Sequence, residues 1–214
     1  MKLLVIQQKM IGDVLISSLL CDNLRKAYPK AQIDYMVYES TTLVLQGNPN
    51  FDNLILFQEK HRTSRKELFK LLLSVRKEKY DVVIDAYSKL ESWLVTFFSG
   101  AEKRISYWKK HTKFLYPQSG KKKTVSDSNL GLIIEQRLAL LDPLEIDLSL
   151  KTFPEIYVTP EEKDFAKELF SRHGIDQAKQ TLMLGIIGRE VAKTYPVDHM
   201  AKVIAFIAAK GDVT

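Results

Sequence analysis

The sequence predicts an α/β fold, a Rossmann-like parallel sheet flanked by helices, and three observations carry that prediction. Short aliphatic runs alternate with helix-like segments along the chain, at the spacing of strand–helix–strand units joined by right-handed crossovers. The runs are unbroken by polar residues, as strands buried on both faces require. The first of them, Leu3-Leu4-Val5-Ile6, leads into Met10-Ile11-Gly12-Asp13-Val14-Leu15, which reads as a tight turn and then a helix with a carboxylate on its first residue. Ligands of an open α/β sheet bind outside the carboxyl ends of its strands, so Asp13 falls where chemistry is expected. Gly12 can turn the backbone sharply at no steric cost. Asp13 also has a plain structural reading, as an N-cap for the helix.

The elements follow in order. A strand over Lys2–Ile6 precedes a helix over Asp13–Ala27, with Ile16, Leu20 and Leu24 spaced four apart. That helix stops near Tyr28-Pro29, because the residue before a proline resists the α region. Ile33–Tyr38 is a second strand and Leu54–Phe57 a third, after the turn Gly47-Asn48-Pro49-Asn50. A charged helix covers Ser64–Lys77, a fourth strand runs through Val82-Val83-Ile84 to Asp85, and a helix over Leu90–Phe98 ends at Gly100. Lys103–Tyr107 completes the series as a fifth strand.

Later segments give a helix over Leu130–Leu141, stopped at Asp142-Pro143, and a short strand at Ile156-Tyr157-Val158. Thr159-Pro160-Glu161-Glu162 opens a helix with three start signals together: a threonine cap, a proline at the first position and a glutamate to close a capping box. It runs to His173, with Gly174 as its left-handed cap. Thr181–Ile187 reads as a buried strand, Gly188–Tyr195 as a polar loop and Pro196–Ala209 as a helix. This last unit repeats the strand–loop–helix layout of the beginning. The expectation is therefore a domain over 1–175 and, over 176–214, the truncated start of a second.

Composition excludes several classes. The chain has 214 residues, 45% hydrophobic and 27% charged, and a single cysteine, so no internal disulfide forms. No apolar run approaches the roughly 20 residues that span a bilayer. Met1 enters the first strand directly, without a signal segment, and a cytoplasmic location is expected. The four histidines are scattered at no metal-ligand spacing, and neither a phosphate-binding loop nor a dinucleotide glycine fingerprint is present. Neither metal nor cofactor is expected.

Charge is concentrated. Between Ala101 and Thr124, eight basic residues face Glu102 alone, while the whole chain carries +6. Tyr107, Trp108, Phe114 and Tyr116 are interleaved with these lysines. The segment reads as a solvated loop or as a surface for a polyanion: a phosphorylated glycolipid, an anionic membrane face or nucleic acid. No nucleic-acid recognition motif accompanies it, and none is expected as partner.

Several segments carry a family resemblance. Leu3–Ile6, Ile11-Gly12-Asp13-Val14-Leu15, Leu24-Arg25-Lys26-Ala27-Tyr28-Pro29 and Gly47-Asn48-Pro49 resemble the start of glycosyltransferase family 9, the bacterial ADP-heptose:lipopolysaccharide heptosyltransferases. Tyr80-Asp81-Val82-Val83-Ile84-Asp85 continues the likeness, and Leu184-Gly185-Ile186-Ile187-Gly188 with Lys193-Thr194-Tyr195-Pro196 resembles the opening of that family's nucleotide-binding half. The resemblance implies the N-terminal half of a two-domain GT-B fold. It implies a metal-independent, inverting transfer of heptose from a nucleotide-sugar, ADP-heptose, to a lipopolysaccharide core acceptor.

Such a transfer needs a base for the acceptor hydroxyl and cations for the departing diphosphate. Asp13 is the candidate base. Lys193, with Thr194 and Gly188, is the candidate donor-phosphate site. Lys9, Gly12, Asp85, Lys121, Lys122 and Lys123 are the candidate acceptor contacts, Asp85 having a cap of the next turn as its other reading. The expected partners are the nucleotide-sugar, a phosphorylated glycolipid and, peripherally, the anionic inner-membrane surface. The fragment alone is expected to be inactive. Two other classes fit the sequence less well: a non-catalytic α/β binding module, and a Rossmann-type oxidoreductase or epimerase.

Overall fold

The structure, a computed structural model, describes residues 1–214 apart from 120–122, 147–148, 177, 180, 189 and 210–214. It divides into two compact units, Met1–Tyr157 and Val158–Thr214.

In the first unit five strands, β1 (Lys2–Ile6), β2 (Gln32–Tyr38), β3 (Asn53–Phe57), β4 (Val82–Asp85) and β5 (Lys103–Ser106), form one sheet in the order β3-β2-β1-β4-β5. Every pairing is parallel, with Leu3 opposite Ile33 and Val82, and Ile6 opposite Met36 and Asp85. This is the alternation read from the sequence. The chain leaves β1 toward β2 on one side and returns to β4 on the other, so the carboxyl ends of β1 and β4 flank a topological switch point.

Side chains of β1 alternate between two cores, which is why its run has no polar position. Leu3 and Val5 join Ile33, Tyr35, Leu20 and Leu24 on one face; Leu4 and Ile6 join Met36, Leu72, Val75 and Val95 on the other. Each such buried side chain is worth about 1.5–3 kcal/mol.

The helices are α1 (Ile11–Ala27), the single turn α2 (Lys60–Thr63), α3 (Arg65–Glu78), α4 (Leu90–Ser99) and α5 (Leu132–Leu138). Helix α1 begins two residues earlier than the sequence predicts, so Asp13 is its third residue and no N-cap. Ser64 caps α3 by accepting the Glu67 N–H at 3.4 Å, and Gly100 closes α4 at φ 68°. The predicted Leu130–Leu141 helix starts at Leu132 and tightens to a 3₁₀ turn over Ala139–Leu144. Pro143 lies inside that turn, where it cannot donate an α-helical hydrogen bond.

Ile156-Tyr157-Val158 is not a strand. This stretch is held by side chains instead: Asn23 exchanges hydrogen bonds of 2.7 and 2.9 Å with the backbone of Lys151, and Asn50 donates to the Tyr157 hydroxyl at 3.0 Å.

The second unit contains α6 (Pro160–Arg172) and α7 (Val197–Ala208). The capping box is formed as read: Thr159 accepts from the Glu162 N–H at 3.2 Å and Glu162 from the Thr159 N–H at 2.8 Å. Gly174 follows at φ 67°. The expected boundary at 175/176 falls eighteen residues after the division between the compact units at 157/158, and α6 belongs to the second unit with no residue buried. Thr181–Ile187 is not a strand, and Met183 and Ile187 are exposed. A parallel strand needs a hydrogen-bonding neighbour, and the described residues of this unit supply none.

Candidate functional site

A cleft of about 420 Å³ opens at the switch point. Gln7, Lys9 and Asp13 line it from the β1 side, Ala86–Lys89 from the end of β4, Tyr107–Lys109 from the end of β5, and Ile133 and Arg137 from α5. Four cations (Lys9, Lys89, Lys109 and Arg137) surround one carboxylate, Asp13.

Asp13 is fixed from two sides. Its Oδ1 lies 3.3 Å from Arg137 Nη2, and its Oδ2 accepts the Met10 N–H at 3.5 Å. The side chain is 39% exposed whereas that of Arg137 is 7% exposed. A buried guanidinium must be fully partnered. Arg137 meets that demand with Nε donating to Ser17 Oγ at 2.7 Å and Nη1 donating to the Tyr107 hydroxyl. Burial pushes the Tyr107 phenol above its ordinary pKa, so it stays protonated. One contact per oxygen leaves the Asp13 carboxylate with unused acceptor capacity, in a cleft whose other charges are positive.

Asp85 does not line this cleft. It is completely buried and accepts from the Tyr87 N–H at 3.0 Å, the Ser88 N–H at 2.7 Å and the Tyr116 hydroxyl. Burial raises its pKa, and those hydrogen bonds oppose the rise. The acceptor-contact reading of Asp85 is thus corrected: its lone pairs are spent on the turn after β4. That turn forces Ser88 to φ 51°, a left-handed conformation uncommon outside glycine. The Ser88 carbonyl accepts from Lys109 Nζ at 2.7 Å, while its hydroxyl is buried without a hydrogen-bond partner among the described residues.

The other expected acceptor contacts divide. Lys9 lines the cleft with Nζ 5.7 Å from the Tyr38 ring centroid. Gly12 sits in the first turn of α1 without a positive φ, so the turn does not need its freedom, and a Cβ there would meet no atom within 4 Å. Lys121 and Lys122 lie outside the described residues. Lys123 is engaged elsewhere, 2.8 Å from Asp127 and 3.6 Å from Glu135. It does not line the cleft. Glu135 in turn accepts from the Ser126 and Ser128 hydroxyls, both at 2.6 Å, and from two backbone N–H groups, which hold its pKa down to about 2. This clamp ties the 123–128 loop to α5, the helix that delivers Arg137.

In the second unit the three donor-site candidates share one loop. The Gly188 N–H donates to Thr194 Oγ1 at 3.1 Å, and Thr194 Oγ1 donates to the Glu190 carbonyl at 3.1 Å. A Cβ on Gly188 would come within 2.4 Å of the Lys193 carbonyl, so only glycine fits this crossing. Lys193 Nζ is 3.2 Å from Glu190 in an exposed pair, a weak restraint.

Sequence reasoning missed Arg137. Its signal was present: Glu135-Gln136-Arg137 interrupts an otherwise apolar helix, and all three are buried. Three consecutive polar residues inside a core segment need partners. Among the described residues no cluster of three or more His, Cys, Asp or Glu side chains could hold a metal ion.

Comparison with known proteins supplies the family. The chain is 25% identical to lipopolysaccharide heptosyltransferase 3 of Escherichia coli over 94% of its own length and 58% of that protein's. It is 25% identical to lipooligosaccharide heptosyltransferase 2 of Haemophilus ducreyi, over 99% of its own length and 61% of that protein's. The chain thus spans about three fifths of these relatives. Among solved structures, a family 9 glycosyl transferase from Veillonella parvula superposes with a TM-score of 0.75 at 21% identity, covering 98% of this chain and 60% of that one. ADP-heptose lipopolysaccharide heptosyltransferase II of E. coli gives 0.68 at 22% identity, over 99% and 62%. These likenesses show that the fold seen here is shared with those structures. The model of glycosyltransferase family 9 (heptosyltransferase) matches residues 68–214, more than half of the sequence, and the chain belongs to that family.

Proposed function

We propose that the protein carrying this chain transfers heptose from ADP-heptose to a lipopolysaccharide core acceptor, inverting the anomeric centre without a metal ion. One observation carries the reading: a single half-exposed carboxylate, Asp13, held by buried Arg137 in a cleft whose other charged side chains are all cations. The family membership supports the class of reaction, and the relatives' names support the substrates.

In this mechanism Asp13 accepts the proton of an acceptor hydroxyl as the oxygen attacks the anomeric carbon. The bond from that carbon to the diphosphate breaks on the opposite face, ADP leaves and the configuration inverts. Lys9, Lys89 and Lys109 attract an anionic acceptor to the cleft. The loop of Gly188, Lys193 and Thr194 receives the diphosphate, with backbone N–H groups and one ammonium to offset its charge. An acceptor anchored in lipid brings the protein to an anionic membrane face as a peripheral partner. Among the described helices none is long and apolar enough to cross a membrane.

Incubation of the full-length protein with ADP-heptose and a lipopolysaccharide core acceptor tests this reading. One ADP should be released per heptose transferred, and NMR of the product should give the anomeric configuration opposite to that of the donor. Retention of configuration, or release of ADP without transfer, would overturn it.

A further inference from the structure

We propose that the outer face of α3 and α4 seats this protein on an anionic lipid bilayer. The proposal deepens the membrane contact of the proposed function by naming the surface that makes it, and its test uses neither donor nor acceptor, so it stands or falls apart from the transfer itself.

Helices α3 and α4 pack side by side over one core of the sheet. Their inner faces are ordinary, with Leu72, Val75 and Val95 buried. Their outer faces are not. Phe69 is 52% exposed and Leu73, one turn on, 42%; Leu90 is 64% exposed and Phe97, two turns on, 57%. These spacings put each pair on one face of its helix. Half-buried Phe98 joins the two, its ring edge-on to Phe69 at 6.4 Å and to Phe97 at 5.7 Å. Single exposed apolar residues are unremarkable, but a continuous aromatic patch on a soluble surface marks a docking site.

The charges around the patch say what docks. Lys66, Lys70 and Lys77 share the outer face of α3 with Leu73, and that helix carries five basic residues against two acidic ones. Cores of protein–protein interfaces are depleted in lysine. A bilayer surface suits the combination: rings enter the acyl boundary while lysine stems reach up to anionic headgroups. The patch is also continuous with the cleft. Leu90 follows Lys89, which lines the cleft, and Trp93 of α4 lies 5.8 Å from Lys109 Nζ. Seating α3 and α4 on lipid brings the cleft mouth to the headgroup layer.

Co-sedimentation of the full chain with vesicles tests this, using phosphatidylcholine alone or mixed 3:1 with phosphatidylglycerol, with no donor or acceptor present. Binding should require the anionic lipid and weaken steeply between low and high salt. Phe69→Ser with Phe97→Ser should weaken it about tenfold or more. Lys66→Glu with Lys77→Glu, which leaves the rings in place, should weaken it by about tenfold. Both pairs are exposed, and circular dichroism should match wild type. Lys110→Ser with Lys113→Ser, in the basic segment after β5, should change binding by less than about twofold. Wild-type binding by both α3–α4 variants, equal binding to neutral vesicles, or no binding to anionic ones would overturn the proposal. So would sedimentation velocity showing that Phe69→Ser with Phe97→Ser dissolves an oligomer while vesicle binding persists.

Discussion

The carboxyl ends of β1 and β4 lie beside each other at one edge of the sheet, and an aspartate sits at or just beyond each. Asp13, after β1, is 39% exposed, has one contact per oxygen and faces the cleft. Asp85, ending β4, is fully buried, and three donors occupy its carboxylate. A strand end in an α/β sheet offers a position, but the position does not decide the role. Satisfied hydrogen-bonding capacity makes an aspartate architecture; unsatisfied capacity in a cationic cleft leaves it available for proton transfer.

The largest effect expected from that contrast is on stability. Asp85→Ala strips the acceptor from the buried Ser88 N–H, the part-buried Tyr87 N–H and the buried Tyr116 hydroxyl, and should cost about 3–5 kcal/mol. Both tryptophans, Trp93 and Trp108, lie in the first unit, so their fluorescence in urea reports its unfolding. Asp13→Ala should cost less, about 1–2 kcal/mol in the same experiment, because it removes one partner of the buried Arg137 guanidinium, which keeps Ser17 and Tyr107, and strands no other donor in the core. Equal losses at the two positions would erase the distinction.

Next in size is Arg137→Ala, which leaves the Tyr107 hydroxyl and Ser17 Oγ without their donor and should cost about 2–3 kcal/mol. A loss under about 0.5 kcal/mol would mean that the guanidinium is not the brace described. The clamp behind it is open to titration. Glu135 has a pKa of about 2 in the folded chain, below its ordinary value of 4.5. A lowered folded value contributes stability that is present above about pH 4.5 and lost as pH falls toward 2. Glu135→Gln should therefore flatten the decline in the urea midpoint between those values, and an unchanged decline would count against the clamp.

The smallest expected effect concerns the turn after β4. Ser88→Gly relieves a left-handed conformation and removes a hydroxyl that has no partner among the described residues, so stability should rise by about 0.5–1 kcal/mol. A clear loss on urea unfolding would show that the Ser88 hydroxyl supports the fold.

Local signals were the legible ones. Four aliphatics in Leu3–Ile6 can only be a strand covered on both faces, and Thr159-Pro160-Glu161-Glu162 holds every partner its cap needs within four residues. The sheet follows from repeating the first pattern. What stayed hidden depends on distant partners. Arg137 reaches Asp13 across 124 positions, and no spacing rule links them. Asp85 read as site or cap until Tyr116, thirty-one residues on, occupied its second oxygen. Lys123 pairs with Asp127, four residues on, and with Glu135, twelve residues away on another element, and only the second contact lay beyond local reading. Thr181–Ile187 has the composition of a buried strand, but a strand is a property of its neighbours as well. Of the residues singled out in the sequence, Asp13 and Lys9 line the cleft and Gly12 does not, while Arg137, which holds Asp13, gave no local signal of that contact.

The most direct test of the account is the turnover of Asp13→Asn in the full-length protein, with ADP-heptose and the lipopolysaccharide acceptor at saturation. Asparagine keeps the size of the side chain and an oxygen for Arg137, so the urea midpoint should stay near wild type, but it cannot take a proton. The account predicts kcat lower by at least about 100-fold, the usual contribution of a positioned base, with KM for the acceptor little changed. A folded Asp13→Asn protein that turns over at close to the wild-type rate would contradict it.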